Sequence, residues 1–304
     1  MQKSYKWVSL LTTIGMGLVL LMGALVTKTE SGRGCGDDWP LCNGKFIPAY
    51  TIESMIEYSH RAVSGLVGIL VLAAAIYTYK LLRHSGEAKL FAYSALFFTV
   101  LQAILGAMAV VWPTSDAVLA LHFGFSLVAF AATLLLTIGV WKDEFSGDKT
   151  VGKLGTVSRK FRNTVWLVTG YSYVVVYIGA FVRHTESSGG CLGWPLCNGE
   201  VVPELSGATG IAFAHRIAAA ILFLAIAYIA FRANRTYADI PFIRTSARWA
   251  LTLAGLQVIS GALIVYALGT DWYLFAALLH VILIACLFGI LCDLCVRVRR
   301  MAAG

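Results

Sequence analysis

The stretch Trp39-Pro40-Leu41-Cys42-Asn43-Gly44 recurs letter for letter as Trp194-Pro195-Leu196-Cys197-Asn198-Gly199. An identity of this length that contains tryptophan, proline and cysteine would rarely arise by chance. The chain therefore consists of two copies of one unit, offset by 155 residues. Features that both copies keep indicate architecture or shared ligand chemistry. Features that only one copy keeps are candidates for the reaction.

The composition is that of a polytopic membrane protein. The chain has 304 residues, of which 59% are hydrophobic and 13% charged, and its mean hydropathy is +0.76. A soluble domain carries about 25% charged residues, and a membrane span needs about 20 mostly apolar residues. Because a matching span opens the second half, we interpret the first span as retained and not as a cleaved signal peptide. The eight predicted spans lie at about 7–26, 58–79, 90–112, 117–140, 164–182, 210–231, 247–268 and 272–296.

The distribution of lysine and arginine predicts the orientation in the membrane. Of the 24 such residues, 18 lie at the two termini and in the loops of one side, and four lie on the other side. Since cytoplasmic loops carry the excess of positive charge, we expect a plasma-membrane protein with both termini in the cytoplasm. The loops 27–56 and 183–209 then lie outside. This bias also explains the net charge of +8 without a nucleic-acid partner.

The repeat predicts an all-α integral membrane protein built from two tandem four-helix bundles. The expected parts are a first half at 1–140, a cytoplasmic linker at 141–163 and a second half at 164–304. Because each half has an even number of spans, both halves insert in the same orientation. They should be related by a pseudo-two-fold axis along the membrane normal.

Four histidines lie inside predicted spans, and the repeat keeps all of them: His60, His122, His215 and His280. A lone histidine on an apolar helix is more often a core residue than a ligand, but ionisable groups in spans are costly and usually functional. All four lie about two to eight residues below the outer ends of their spans, two in each half. Two imidazoles on facing helices suit the axial positions of a haem iron. Zinc would more typically gather four ligands that include cysteine or carboxylate.

Arg61 and Arg216 each follow the first histidine of a pair. Such an arginine can extend its guanidinium toward the membrane surface, or it can hold a haem propionate through a bidentate, charge-assisted bond. Because both halves keep the arginine beside the predicted axial ligand, we favour the contact with propionate.

One carboxylate breaks the symmetry of the repeat. Glu57 lies one helical turn before His60 on the same helix face, whereas the second half has Ala212 at the matching position. Glu57 could be a first-turn residue favoured by the helix dipole. A carboxylate near a haem edge is also a natural proton acceptor or donor. The first half therefore has the features of the reaction site, and the second half those of a permanent cofactor site.

Two cysteine pairs lie in the outer loops, where disulfides persist. Cys35 and Cys42 belong to the first half, and Cys191 and Cys197 to the second. We expect both pairs to be bonded. The bonds could be structural staples, or the Cys35–Cys42 bond, with its more polar flank, could be redox-active.

The eight spans in two halves, the outer histidine pairs, Glu57 three residues before His60 and the paired loop cysteines together resemble haem A synthase of the bacterial type. That family oxidises a methyl substituent of haem O to a formyl group. The resemblance implies that His60 and His122 bracket the substrate haem O and that Glu57 is catalytic. It implies that His215 and His280 ligate a haem b cofactor.

The resemblance also implies partners in haem metabolism. Haem O would arrive from haem O synthase, and the product would serve haem-copper oxidases. The sequence leaves the possibility of an oligomer open. Two other functions stay possible from the residues alone. One is a di-haem electron-transfer protein, similar to a quinol-linked cytochrome b. The other is a haem carrier that binds haem without altering it.

Overall fold

The computed structural model describes residues 2–46, 50–112, 114–145 and 155–301. In these ranges the chain forms eight helices that are long and apolar enough to cross a membrane, which confirms the predicted class. The described residues contain no β-strand and only isolated bridge residues. The helices are α1 Lys3–Lys28, α2 Ile52–Leu81, α3 Gly86–Val111, α4 Asp116–Trp141, α5 Arg159–His184, α6 Gly207–Thr236, α7 Pro241–Ala267 and α8 Tyr273–Arg300.

The chain divides into two compact units, Met1–Val151 and Gly152–Gly304. In the first unit α1 packs against α2 and α4, and α3 packs against the same two helices. In the second unit α5 packs against α6 and α8, and α7 completes the ring. Each unit is therefore a four-helix bundle in which the even-numbered helices lie on a diagonal. The pseudo-two-fold relation between the halves stays a prediction.

The helices extend beyond the apolar runs that predicted them. The helix α5 begins at Arg159, inside the segment expected to be linker, and the side chain of Ser158 caps it by accepting a hydrogen bond from the amide of Phe161 at 3.2 Å. Hydropathy marks only the part of a helix that lies in hydrocarbon. Charged terminal turns continue the helix into the polar region, where hydropathy does not detect them.

Polar contacts join the helices of the first unit at its core. Tyr5 of α1 shares a hydrogen bond of 2.7 Å with Thr78 of α2, and Thr13 of α1 shares one of 2.7 Å with Thr137 of α4. Between apolar helices in lipid there is little hydrophobic drive for association, so such pairs and close packing hold the bundle. Large apolar side chains such as Leu66 remain exposed on the bundle surface, as expected of helices that face lipid.

A short 3₁₀ turn and a disulfide-bonded loop follow both α1 and α5. In each unit a glycine lets this loop approach the next helix. A side chain on Gly34 would collide with the backbone of Glu53, and one on Gly190 with the backbone of Ala208. Only a residue without Cβ fits this approach.

We expect Gly190→Ala to destabilise the protein by about 1–3 kcal/mol, the usual cost of forcing an atom into packed backbone. Gly189→Ala is the matched control, because a methyl group on Gly189 meets nothing within 4 Å. Thermal unfolding of the detergent-solubilised protein measures both. Equal unfolding midpoints for the two variants would contradict the close approach.

Candidate functional site

The repeated stretch forms the same loop in both units. The disulfides Cys35–Cys42 and Cys191–Cys197 both form, as predicted. Asn43 and the corresponding Asn198 have left-handed backbones with φ of 50° and 54°. This conformation is open mainly to glycine and asparagine among common residues. The repeated letters therefore encode a loop of defined backbone shape that lies at the outer end of α2 and of α6.

An arginine ties each loop to the helix below it. In the first unit, Nη1 of Arg61 donates to the carbonyl oxygens of Asp38 and Leu41, both at 2.8 Å. In the second, Arg216 donates to the carbonyl oxygens of Leu196 at 3.0 Å and Cys191 at 2.6 Å. Both arginines thus serve the loop. Contact with a haem propionate, which was the role predicted from sequence, stays a prediction.

Glu57 connects this anchor to the disulfide of the first unit. The side chain is buried, with 3% of its surface exposed. One carboxylate oxygen accepts a hydrogen bond from Nη2 of Arg61 at 2.5 Å, and the other accepts one from the backbone amide of Cys35 at 2.8 Å. Both oxygens are therefore held, and the carboxylate has a fixed position between the helix and the loop. This arrangement goes beyond a simple first-turn residue interacting with the helix dipole.

The second unit fills the same place with apolar contacts. Ala212 packs against Cys191 and Cys197, with Phe213 beside them. Without a carboxylate to occupy it, Nη2 of Arg216 reaches the carbonyl of Cys191 directly. The two units therefore differ at this position both in sequence, as predicted, and in hydrogen bonding.

The four histidines lie at nearly the same depth in their helices. His60 and His215 are the ninth residues of α2 and α6, His122 is the seventh of α4 and His280 the eighth of α8. At 1.5 Å per residue, all four lie about 9–12 Å from the starts of their helices. This is more uniform than the sequence indicated, because the apolar runs mark the helix starts poorly. In each unit the two histidines belong to diagonal helices.

The hydrogen bonds of the imidazoles distinguish one histidine from the other three. Nδ1 of His280 lies 2.8 Å from Oγ of Ser260. The Nδ1 atoms of His60, His122 and His215 are buried, and no partner for them occurs among the described residues. A ligating histidine typically uses one ring nitrogen for the metal while the other donates to a nearby oxygen. His280 has this second contact through Ser260, and the ring of His122 lies within reach of the backbone carbonyl of Gln102.

These residues fit a haem iron held between two helices. Pairs of partly buried histidines on diagonal helices could provide two axial nitrogens in each unit. No group of three or more His, Cys, Asp or Glu side chains converges in the ranges that the structure describes. The donor set is thus that of a bis-histidine site and not that of a polydentate metal centre. A haem b cofactor would be held by His215 and His280, with Ser260 orienting the second ring.

Sequence reasoning missed two groups, Ser260 and the amide of Cys35. The repeat carried a signal for the first, because Leu105 stands where the second unit has Ser260. This is a polar-for-apolar difference comparable to that between Glu57 and Ala212. No sequence pattern signals the amide of Cys35, since every residue except proline has one.

Eight apolar helices in two bundles, each with two histidines near the helix ends that carry a disulfide-bonded loop, define a multi-pass membrane protein. The family model described as cytochrome oxidase assembly protein, COX15-CtaA, matches residues 6–292. The chain belongs to this family.

Similar proteins of this family carry the name haem A synthase. The one from Geobacillus kaustophilus (strain HTA426) is 45% identical over 99% of this chain and 94% of its own length. The one from Bacillus licheniformis is 44% identical over 99% of this chain and 98% of its own length. The one from Exiguobacterium sp. is 43% identical over 100% and 96%, respectively.

Replacement of the two arginines should have unequal effects. Arg61→Ala leaves the buried carboxylate of Glu57 without its cation, and breaking a buried pair in this way costs about 3–5 kcal/mol. Arg216→Ala removes hydrogen bonds to loop carbonyls but strands no charge. We therefore expect the larger fall in the thermal unfolding midpoint for Arg61→Ala. Adding Glu57→Ala to Arg61→Ala should restore part of the loss, and equal midpoints for the two single variants would refute this account.

Proposed function

We propose that this protein is a haem A synthase that oxidises a methyl substituent of haem O to a formyl group, through hydroxymethyl and gem-diol stages. The observation that carries the proposal is the buried carboxylate of Glu57, which one unit has and the other lacks. The names of the relatives support the same activity.

The two units take different haems in this proposal. His60 and His122 bracket the substrate haem O in the first unit, where Glu57 lies one turn from the first ligand. His215 and His280 hold haem b in the second unit, where the side chain of Ser260 already orients one ring. A bonded Nδ1 fixes a ring and strengthens its nitrogen as a ligand, which suits a cofactor that stays bound. The first unit lacks this bond, which suits a substrate that must leave.

Glu57 acts as the proton acceptor when the substituent is oxidised. Each oxidation stage removes protons together with electrons, and a positioned carboxylate can receive a proton in the transition state. The bond from the amide of Cys35 and the ion pair with Arg61 hold the carboxylate in one orientation. Conversion of the methyl group to a formyl group removes four electrons. On the route in which water supplies the oxygen atom, a haem b held by His215 and His280 would pass these electrons outward to an acceptor. The disulfide-bonded loop of the first unit therefore positions the base.

Arg61 and Arg216 complete the proposal as partners of the haem propionates. A guanidinium has five N–H donors, and the loop contacts leave some of them open to a carboxylate. Both haem sites then lie near the extracytoplasmic face, with both termini in the cytoplasm. Haem O synthase delivers the substrate, and haem-copper oxidases receive the product. Self-association is compatible with this proposal.

Glu57→Gln should abolish turnover while haem b remains bound, because glutamine can still accept the bond from the amide of Cys35 but cannot take up a proton. We expect a fall of about 10²–10⁴-fold in the conversion of haem O, the range of general acid–base catalysis. Chromatography of extracted haems measures it. Glu53→Gln, which changes an exposed carboxylate one turn earlier, should convert at the original rate. Loss of haem b from Glu57→Gln would show a structural role instead.

Pigment analysis separates the proposal from its rivals. His60→Ala and His122→Ala should lose haem O and haem A from the purified protein but keep haem b, because the two sites belong to separate units. His215→Ala should lose haem b. The original protein should contain haem O or haem A beside haem b. Haem b alone in both units would instead indicate a di-haem electron-transfer protein, and bound haem O that is never oxidised would indicate a carrier.

A further inference from the structure

Every one of the four histidines packs against a glycine of the preceding helix. His60 on α2 faces Gly23 of α1, and His122 on α4 faces Gly106 of α3. The second unit repeats the pattern. The helix α5 presents Gly179 to His215 of α6, and α7 presents Gly261 to His280 of α8. Alanine follows the glycine in all four cases, so one Gly-Ala pair recurs on each odd-numbered helix.

The imidazole rings lie close to the positions that a Cβ atom would occupy at these glycines. A methyl group on Gly179 would stand 2.8 Å from Cε1 of His215 and 3.3 Å from its Nε2. The same group on Gly106 would stand 3.3 Å from Cε1 of His122. Carbon atoms in favourable contact lie about 3.5–4.0 Å apart. Alanine at either position would therefore displace the ring.

The other two contacts are less tight. A methyl group on Gly23 would stand 3.4 Å from Cε1 of His60, and one on Gly261 would stand 3.5 Å from Cε1 of His280. The four positions thus form a series, from the most crowded ring at His215 to the least crowded at His280.

The least crowded ring, that of His280, also differs from the other three in its hydrogen bonding. His280 is oriented by Ser260 through its Nδ1, and its glycine is the most distant of the four. The other three rings have no partner for Nδ1 in the described ranges. In these three the glycine faces the edge that carries Cε1 and Nε2.

We propose that Gly179 and Gly106, the two glycines where a methyl group would crowd the ring, are positioning residues for the haem ligands. Each one sets the place of an imidazole by leaving room for it against the neighbouring helix, and so sets how the ring meets the haem iron. The proposal rests on the proposed ligation by the four histidines. Glycine within a helix costs about 1 kcal/mol relative to alanine, so its presence at all four contacts is consistent with a requirement of the site.

Other glycines of the same helices provide matched controls. Methyl groups on Gly170 of α5 and on Gly255 of α7 would meet nothing within 4 Å. A methyl group on Gly15 of α1 would stand 2.7 Å from Val67, and thus in the packing between helices and away from a ligand. Gly170→Ala controls for helix propensity, and Gly15→Ala controls for crowding that does not reach a histidine.

The experiment uses the full-length protein, purified from cells that supply haem O. For each variant, the amounts of haem b and of haem O plus haem A per protein are measured, together with the low-spin ferric signal in electron paramagnetic resonance. Gly179→Ala should lower haem b about 10–100-fold, the usual effect of disturbing the surroundings of a metal ligand, or shift the signal of the haem b that remains. Gly170→Ala should match the original protein in both respects.

The first unit gives a second test with its own control for folding. Gly106→Ala should lose haem O and haem A, or shift their signal, while haem b in the other unit stays and reports an intact fold. Gly23→Ala, whose methyl group would meet Cε1 of His60 at an ordinary contact distance of 3.4 Å, should keep its haems and their signals. Gly15→Ala should lower thermal stability without shifting any haem signal. Unchanged haem content and unchanged signals in both Gly106→Ala and Gly179→Ala would overturn the proposal.

The histidine variants distinguish a failure of the role proposed for the glycines from a failure of the proposed haem ligation. If His60→Ala and His122→Ala lose haem O and haem A while Gly106→Ala and Gly179→Ala leave every haem and signal unchanged, ligation stands and only the role of the glycines is refuted. If the histidine variants themselves keep every pigment and signal, the proposed ligation is wrong, and the role of the glycines fails with it.

Discussion

The hydrogen bonds between a partly buried arginine and the carbonyls of a disulfide-bonded loop organise each unit of this protein. An arginine inside an apolar span must find partners within the protein, because the hydrocarbon provides none. Arg61 and Arg216 satisfy this need with carbonyl oxygens of the disulfide-bonded loops. The same bonds bring each loop down onto the helix that carries the first histidine. The close approach at Gly34 and the position of Glu57 both depend on this contact.

The two units therefore share one scaffold and differ in a few side chains at equivalent positions. The duplicated loop, arginine and histidine pair form a common frame, and the differences are few. Glu57 adds a carboxylate between arginine and loop in one unit, where Ala212 packs against the disulfide in the other. Ser260 orients a histidine in the second unit, where the first has Leu105. Function here follows from single residues placed on a repeated fold and not from the fold itself.

The glycines opposite the histidines lower the stability of their helices relative to alanine. Local propensity favours alanine in a helix, yet glycine stands at all four ring contacts, while alanine takes the next position each time. Positions where a sequence departs from local preference are typically functional or strained. In membrane helices small residues also permit close packing, as Gly15 does against Val67. Whether such a glycine serves helix packing or the place of a histidine depends on the side chain that faces it.

The sequence by itself determined the eight spans, the duplication, the histidine pairs and the asymmetric carboxylate, because hydropathy and repetition are properties of the chain read locally. It placed the helix ends poorly, since charged turns such as the one at Arg159 lie outside the apolar signal. Only the tertiary structure decided that Glu57 bonds to the amide of Cys35 and that Ser260 bonds to His280. These partners lie 22 and 20 residues apart in the chain. A contact across that distance depends on how loops and helices pack, and no local pattern records it.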